Sequence, residues 1–507
     1  TEIYTLSLHD ALPIWRRKKK PQSIKGRAVL GGSFDPTGLS FSSEAGDYSL
    51  KVLLAPARSR CLCCGGTAGS RNVITPVALG TSAAVKVIAE GLVEALADAN
   101  RDTARAKERL LIFSDSRQDA AHQARFIVFA SRYDRMRRRL VEFLQQHPFL
   151  TLQRAVELLG ELGAREQDNP YAPEAGMRIY PETLEQIRAW EEAPLLDELA
   201  VNAGYRATLM NLGLVSVEYD QLGEYVEREA KDLGVRLGLS PQQLTHICRC
   251  VLDDMRTRGA LSRGLLQYHP LFPACPDSMR ASEWERRVKT PRGYVASDTG
   301  QPLAYRDAAD YPSGISSINV WRRAGAGGRG PALERIFKHL LQRFGGIEPA
   351  AEDLIDLLSF LRKPCQFIVD TELCGFREKA RLLQVNHEAV RLRLTPEGER
   401  LHCGVCGSVL SGAAVGLPCP KCHGSLGPWK DAEFALHRTV QRIRSKEIIP
   451  LVAGEHTAQV PNAKRVELED NFKAAGDKSK VNVLACSPTL EMGIDVGGLD
   501  AVVLRNI

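Results

Sequence analysis

Apolar positions along this chain follow a strand-and-helix grammar at its two ends and a helical one in between. Residues 109–130, RLLIFSDSRQDAAHQARFIVFA, open with a continuous apolar run from Leu110 to Phe113. Such a run predicts a strand buried on both faces of a parallel sheet. Ser114, Asp115 and Ser116 follow with turn and N-cap chemistry, so a helix is expected from about Arg117. Ahead of this strand, SAAVKVIAEGLVEALADAN predicts a helix with Val85, Ile88, Leu92, Val93 and Leu96 on one face. The same alternation resumes only after Lys446, where EIIPLVAG, VNVLAC and DAVVLR predict strands and NAKRVELEDNFKAA a helix. Alternating elements at this spacing imply a parallel α/β sheet with right-handed crossovers. One α/β domain is therefore expected to be split by a long insertion.

The insertion reads as mostly helical. In SPQQLTHICRCVLDDMRTRGALS, Ser240 suits an N-cap, Pro241 the first turn and Gly259 the exit. Leu244, Ile247, Val251, Leu252 and Met255 form one apolar stripe. The ending RTRGAL fits a winged-helix module or an ordinary three-helix packing equally well. Residues 265–330 are rich in Pro, Gly and Arg without periodicity and read as loop or linker. The expected domains are a linker or remnant over 15–73, a first sheet segment over 74–130 and a helical insertion over 131–394. A metal-binding module over 395–430 and a second sheet segment over 431–507 complete them. Residues 1–14, TEIYTLSLHDALPI, read as the translation of a sequencing adapter and are set aside from the fold.

With 507 residues, 44% of them hydrophobic, the chain can bury several cores. Its formal charge of +6 permits a nucleic-acid partner without demanding one. Thirteen cysteines without a secretory signal argue for reduced thiols and metal sites rather than a disulfide framework. No apolar run approaches the ~18 residues of a membrane span, so a soluble, cytoplasmic protein is expected.

The strongest chemical signal is CGVCGSVLSGAAVGLPCPKC, in which Cys403, Cys406, Cys419 and Cys422 make two CxxC pairs twelve residues apart. Two such knuckles arrange four thiolates tetrahedrally around Zn²⁺ in a closed, structural site. Gly404, Gly407 and Pro420 fit the tight turns that knuckles need. In CLCCGG, Cys61 and Cys64 offer half of a second site, with no matching pair nearby. GAGGRG, Gly325 to Gly330, matches GxGxxG but lacks the strand, turn and helix of a dinucleotide site, and reads as flexible linker. No GxxxxGK[ST] phosphate loop occurs in the chain. WRRKKK, from Trp15 to Lys20, reads as a solvated stub. RYDRMRRRL, from Arg132 to Leu140, is a basic helix face, either solvated or able to track phosphates.

One stretch connects these elements to a family. SPTLEMGIDVGGLDAVVLRNI, Ser487 to Ile507, resembles motif V of superfamily 2 helicases, and LLIFSDSRQDAA resembles their motif IV. AGEHTAQVPNAKRVELEDNFK resembles the intervening segment of large DEAD/DEAH-box helicases that carry a cysteine-rich insertion. The three blocks stand in the family's order but cover a minority of the chain, and the insertion resembles the family only loosely. The resemblance implies a RecA-like second domain, ATP with Mg²⁺ held between two such domains, and a nucleic-acid partner, DNA ahead of RNA. It implies phosphate contacts from Ser116, Arg117, Ser487 and Thr489, with Gly493 and Asp495 near the nucleotide. The family's first RecA-like domain, with its phosphate loop and Mg²⁺-binding acids, and its Arg-rich motif VI have no counterpart in this chain. The expectation is thus a helicase fragment truncated at both ends. Its rival is a non-catalytic zinc-containing nucleic-acid-binding module on a RecA-like scaffold.

Overall fold

A computed structural model describes residues 22–24, 27–35, 40–42, 49–54, 81–99, 108–166, 171, 177–200, 208–262, 294–296, 332–347, 351–363, 366–372, 381–410, 412–429, 438–444, 451–474, 481–487 and 499–505. The chain divides into two compact units, Thr1–Ala78 and Leu79–Ile507. In the first unit β1 (Gln22–Ile24), β2 (Arg27–Asp35), β3 (Ser40–Ser42) and β4 (Ser49–Leu54) form an antiparallel sheet, every other strand pairing with β2. These strands fall within the segment read as linker or remnant. Cys61 and Cys64 lie outside the described residues, as does Gly325 to Gly330.

The second unit opens with α1 (Thr81–Ala99), β5 (Leu110–Ser114) and α2 (Arg117–Gln146), a rod of 30 residues. The insertion begins with β6 (Leu150–Thr151), α3 (Leu152–Glu166), α4 (Pro181–Ala200) and β7 (Val215–Tyr219). The closely spaced helices α5 (Leu222–Glu229), α6 (Lys231–Leu237) and α7 (Pro241–Thr257) follow. After β8 (Tyr294–Ala296), α8 (Ala332–Phe344) and α9 (Ala351–Arg362) come β9 (Ile368–Glu372), β10 (Arg381–Val385) and β11 (Val390–Leu394). β12 (Leu401–Cys403), β13 (Leu426–Pro428) and α10 (Arg438–Arg444) lead back to β14 (Ala453–His456), α11 (Asn462–Lys473), β15 (Val483–Cys486) and β16 (Ala501–Arg505).

β14, β15, β5 and β16 pair in that order as a four-stranded parallel sheet, so the two ends of the second unit build one α/β layer. The sheet is covered on both faces. On one, Val85, Ala89 and Val93 of α1 and Ile127 of α2 pack on Leu110, Ile112, Val483 and Val503. On the other, Phe472 of α11 packs on Leu111, Leu484 and Cys486. Asn482 clips the amino edge together: its side chain accepts from the Val452 N–H at 2.8 Å and its carbonyl from the Leu110 N–H at 2.9 Å.

Several expectations shift. Ile88 is exposed, because it lies about 100° around the helix from Ala89, at the centre of the buried stripe. The strand expected over EIIPLVAG runs from Ala453 to His456, because the Val452 N–H is taken by Asn482; Glu447–Pro450 lie outside the described residues. β16 is an edge strand, with Val502 and Leu504 exposed on one face. The insertion is less helical than its periodicity suggested. Two three-stranded antiparallel sheets, β6-β11-β7 and β8-β10-β9, pack within it, and β8 lies in the stretch read as linker. α7 keeps its expected caps: Ser240 and Gln243 form a reciprocal capping box, and Gly259 follows at φ 87°. Its stripe is wider than five residues, since His246, Cys248, Cys250 and Arg256 are buried too. α7 is therefore the hub of the insertion core, while Gln242, Thr245, Arg249 and Asp253 keep one side of it partly exposed.

The boundary expected at 130/131 falls inside α2, whose first half packs on the sheet and whose second half, from Met136, enters the insertion core. Between these two cores lies a chain of charges. Arg442 of α10 binds Glu90 at 2.5 Å and Glu94 at 2.9 Å; Lys86 pairs with Glu90 and, at 2.6 Å, with Asp134. Arg137 then joins Asp134 at 3.3 Å to Glu198 of α4 at 2.9 Å. The basic run is thus neither solvated face nor phosphate track. Arg132 stacks 3.5 Å over the Trp190 ring, where burial brings its pKa down to about 10, and Arg139 is buried as well. Burial pushes the Glu198 carboxyl up despite Arg137, so this pair is bought at a desolvation cost and tolerates no missing partner. Glu198→Ala would leave the buried Arg137 guanidinium with Asp134 alone and strand the Leu209 N–H that Glu198 accepts at 2.5 Å. A loss of about 3–5 kcal/mol is expected in urea unfolding followed by tryptophan fluorescence; a loss below about 0.5 kcal/mol, the size of an ordinary surface change, would contradict the buried pairing.

Candidate metal centre

β12 and β13 pair in antiparallel register, Leu401 with Pro428 and Cys403 with Leu426, and carry the two knuckles. In the first, the Gly407 N–H returns to the Cys403 carbonyl at 2.9 Å, with Gly407 in the left-handed region at φ 68° as its position required. In the second, the Cys419 N–H returns to the Gly424 carbonyl at 2.9 Å. Both turns aim their cysteines inward. Cys403, Cys419 and Cys422 are buried and Cys406 half-buried.

The four Sγ atoms lie within 4.8 Å of one another, with Cys403–Cys422 at 3.4 Å and Cys406–Cys419 at 3.6 Å. A tetrahedral ion with bonds of about 2.3 Å requires sulfurs about 3.8 Å apart, so the cluster can hold one metal ion and leaves no ligand position open. Backbone donors already face the sulfurs: the Lys421 N–H points at Cys419 Sγ (3.4 Å) and the Gly424 N–H at Cys422 Sγ (3.3 Å). Burial pushes the Cys419 thiol up to about 12 and raises Cys422 as well. At Cys403 burial acts the same way, but the Cys406 and Val405 N–H donors outweigh it and bring the thiol down to about 7. Thiols held so close and so dry are poorly suited to carry charge without a cation among them.

The sequence pattern found all four ligands but not all of their supports. Gly404 has open space around it and needs no glycine conformation. Gly424, which the CxxC pattern does not single out, is the tight position. A Cβ there would sit 2.5 Å from Cys403 Sγ and 2.9 Å from Val405 Cγ2. The module is also docked: His246 Nε2 donates to the Pro418 carbonyl (3.0 Å), and Arg400 Nε to the Gly213 carbonyl (3.1 Å).

The other expected site residues gather at the carboxyl rim of the parallel sheet. Ser487 directly follows β15, and Ser116 and Arg117 follow β5, two adjacent strands in register through Cys486 and Phe113. Ser116 is the N-cap of α2, accepting from the Asp119 N–H at 3.1 Å and donating to its carboxylate at 2.9 Å. Arg117 is exposed and Ser487 buried. Arg505, at the end of β16, reaches the Asp119 carboxylate at 3.1 Å from the other side. Thr489, Gly493 and Asp495 lie outside the described residues. No protein-family model matches this chain, and neither does any curated protein or solved structure. Among the described residues no helix is long and apolar enough to cross a membrane.

Elemental analysis of the purified chain is expected to return one tightly bound metal ion, and Cys403→Ser to abolish stoichiometric binding. Full metal content in that variant would refute the four-cysteine site. Gly424→Ala, with all four thiols intact, is expected to lower metal affinity at least about tenfold by displacing Cys403; an unchanged affinity in a competition titration would show that the knuckles close without this approach.

Proposed function

We propose that this chain is the strand-contacting, second RecA-like domain of an ATP-dependent superfamily 2 helicase, interrupted by an insertion that zinc holds in shape. The observation that carries the reading is a parallel sheet assembled from the two ends of the second unit, with Ser116, Arg117 and Ser487 at adjacent carboxyl strand ends. Open α/β sheets bind ligands at that rim, and the three helicase-like blocks supply three of its four strands, β5, β14 and β16. Zinc is the ion proposed for the cysteines, because four thiolates in a closed tetrahedral set suit it best.

In this proposal the rim holds the backbone of a nucleic-acid strand, DNA ahead of RNA. Arg117, exposed at the first position of α2, supplies the charge, while Ser116, Ser487 and Thr489 supply hydroxyls. Gly493 and Asp495 face ATP and its Mg²⁺, which a partner RecA-like domain would clamp. Phosphoryl transfer needs a phosphate loop and metal-binding acids to position the nucleotide. The absence of GxxxxGK[ST] from these 507 residues favours a second reading for the chain taken alone, a non-catalytic zinc-containing nucleic-acid-binding module. A phosphate loop and a DExH box encoded directly upstream would decide for the helicase, and an upstream sequence without them for the module.

Strand binding tests what both readings share. Fluorescence anisotropy with labelled single-stranded DNA is expected to show affinity that falls with salt. Arg117→Ala should weaken it about tenfold, the size of one charge-assisted hydrogen bond, and flatten the log–log salt slope by about 0.7. Asp495→Ala should leave it nearly intact. Equal losses of strand affinity and thermal stability in both variants would show that these residues only shape their turns.

A further inference from the structure

Two helices of the insertion core reach into the second knuckle, and each does so with a histidine. His339, half-buried on α8, has its Nε2 at 3.1 Å from the Cys419 carbonyl and 2.9 Å from the Cys422 carbonyl. Carbonyls only accept, so Nε2 carries the hydrogen and shares it between the peptides that follow the two ligands. The His339 ring also packs against that of His423, centroids 5.3 Å apart. His246, buried on α7, donates through its own Nε2 to the Pro418 carbonyl at 3.0 Å, the peptide that precedes Cys419. Its ring lies edge-on to Phe344 of α8 at 6.0 Å, so the two histidine-bearing helices brace each other. Cys419 is thereby bracketed on both sides, and Cys422 on one, by donors from outside the module. The first knuckle closes with its own backbone, through Gly407 and Ser408.

We propose that His339 and His246 are positioning residues for the metal centre, which hold the second knuckle in its metal-binding shape from the insertion core. Retention of the ion is then conditional on α7 and α8 being in place. The physical reason is entropic and geometric together. A knuckle binds tightly only if the peptides around its sulfurs are already turned so that N–H groups face them. The Lys421 and Gly424 amides that face Cys419 and Cys422 belong to the peptides next to those the histidine at 339 pins. Outer donors of this kind are typically worth ten- to a hundredfold in metal affinity.

This inference rests on the four-cysteine metal reading, and the test separates the two. The full 507-residue chain, purified with its metal, is mixed with excess chelator, and release is timed with a chromogenic indicator. His339→Leu keeps most of the bulk and removes the donor; it is expected to release metal about tenfold faster or more. His339→Gln places an amide Nε2 donor within reach of the same carbonyls and is expected to recover most of the wild-type release time. Tryptophan fluorescence and circular dichroism check that both variants stay folded. Wild-type release from His339→Leu, or a His339→Gln variant no slower than His339→Leu, would overturn the positioning role while leaving the cysteine site standing. A wild-type chain that carries no metal would overturn the site and this inference together.

Discussion

β5 takes its place between β15 and β16 only if residues 115–452 leave the sheet and return to it in register. Loop-closure entropy grows only slowly with length, so a long excursion is affordable provided its two ends are held near one another. The holding is done at the middle of α2. There Lys86, Glu90 and Glu94 of α1, Asp134 and Arg137 of α2, Glu198 of α4 and Arg442 of α10 form one line of alternating charge. The outgoing helix, the returning helix and the helix over the sheet all meet on it. Because α2 runs unbroken through this seam, the two hydrophobic cores on either side share one rigid rod about 45 Å long.

That arrangement makes the insertion a structural body with its own core rather than a long loop. α7 sits at its centre, capped by Ser240 and Gln243, with nine of its seventeen residues buried. The metal module is built onto this core. Its two short strands bury little by themselves, and its second knuckle takes donors from α7 and α8. A closed tetrathiolate site can supply the folding free energy that so small a module lacks, and the histidines tie that energy to the rest of the insertion. The rim of the parallel sheet, at the amino end of α2, stands on the opposite side of the charged seam from this core.

Much of this was legible in residue order. The apolar run Leu110–Phe113 and the later runs at Val483–Cys486 and Ala501–Arg505 named three of the four parallel strands, and Ser116 and Ser240 named the caps that start two helices. These signals are local: a short run buried on both faces, or a hydroxyl three residues before a backbone N–H, is complete within a few positions. CxxC spacing likewise named all four thiols, because a knuckle is a local turn. What spacing could not name was Gly424, whose reason for being glycine is a sulfur on the other knuckle.

The sequence by itself determined the type of each end of the second unit, the split of the α/β layer and the four cysteines that come close enough to hold a metal ion. Tertiary structure alone decided the rest. It turned RYDRMRRRL from an apparent surface into an interior seam, because Trp190 and Glu198 arrive from a helix about sixty residues on. It left Val502 and Leu504 uncovered on an apolar strand, because among the described residues no element packs over that face of β16. It also made antiparallel sheets within an insertion that reads as mostly helical, since pairing partners such as Val215 and Leu394 lie far apart in the chain. Burial and charge pairing are properties of what comes to rest beside a residue, and for these positions the neighbour is set by the fold and not by the adjoining sequence.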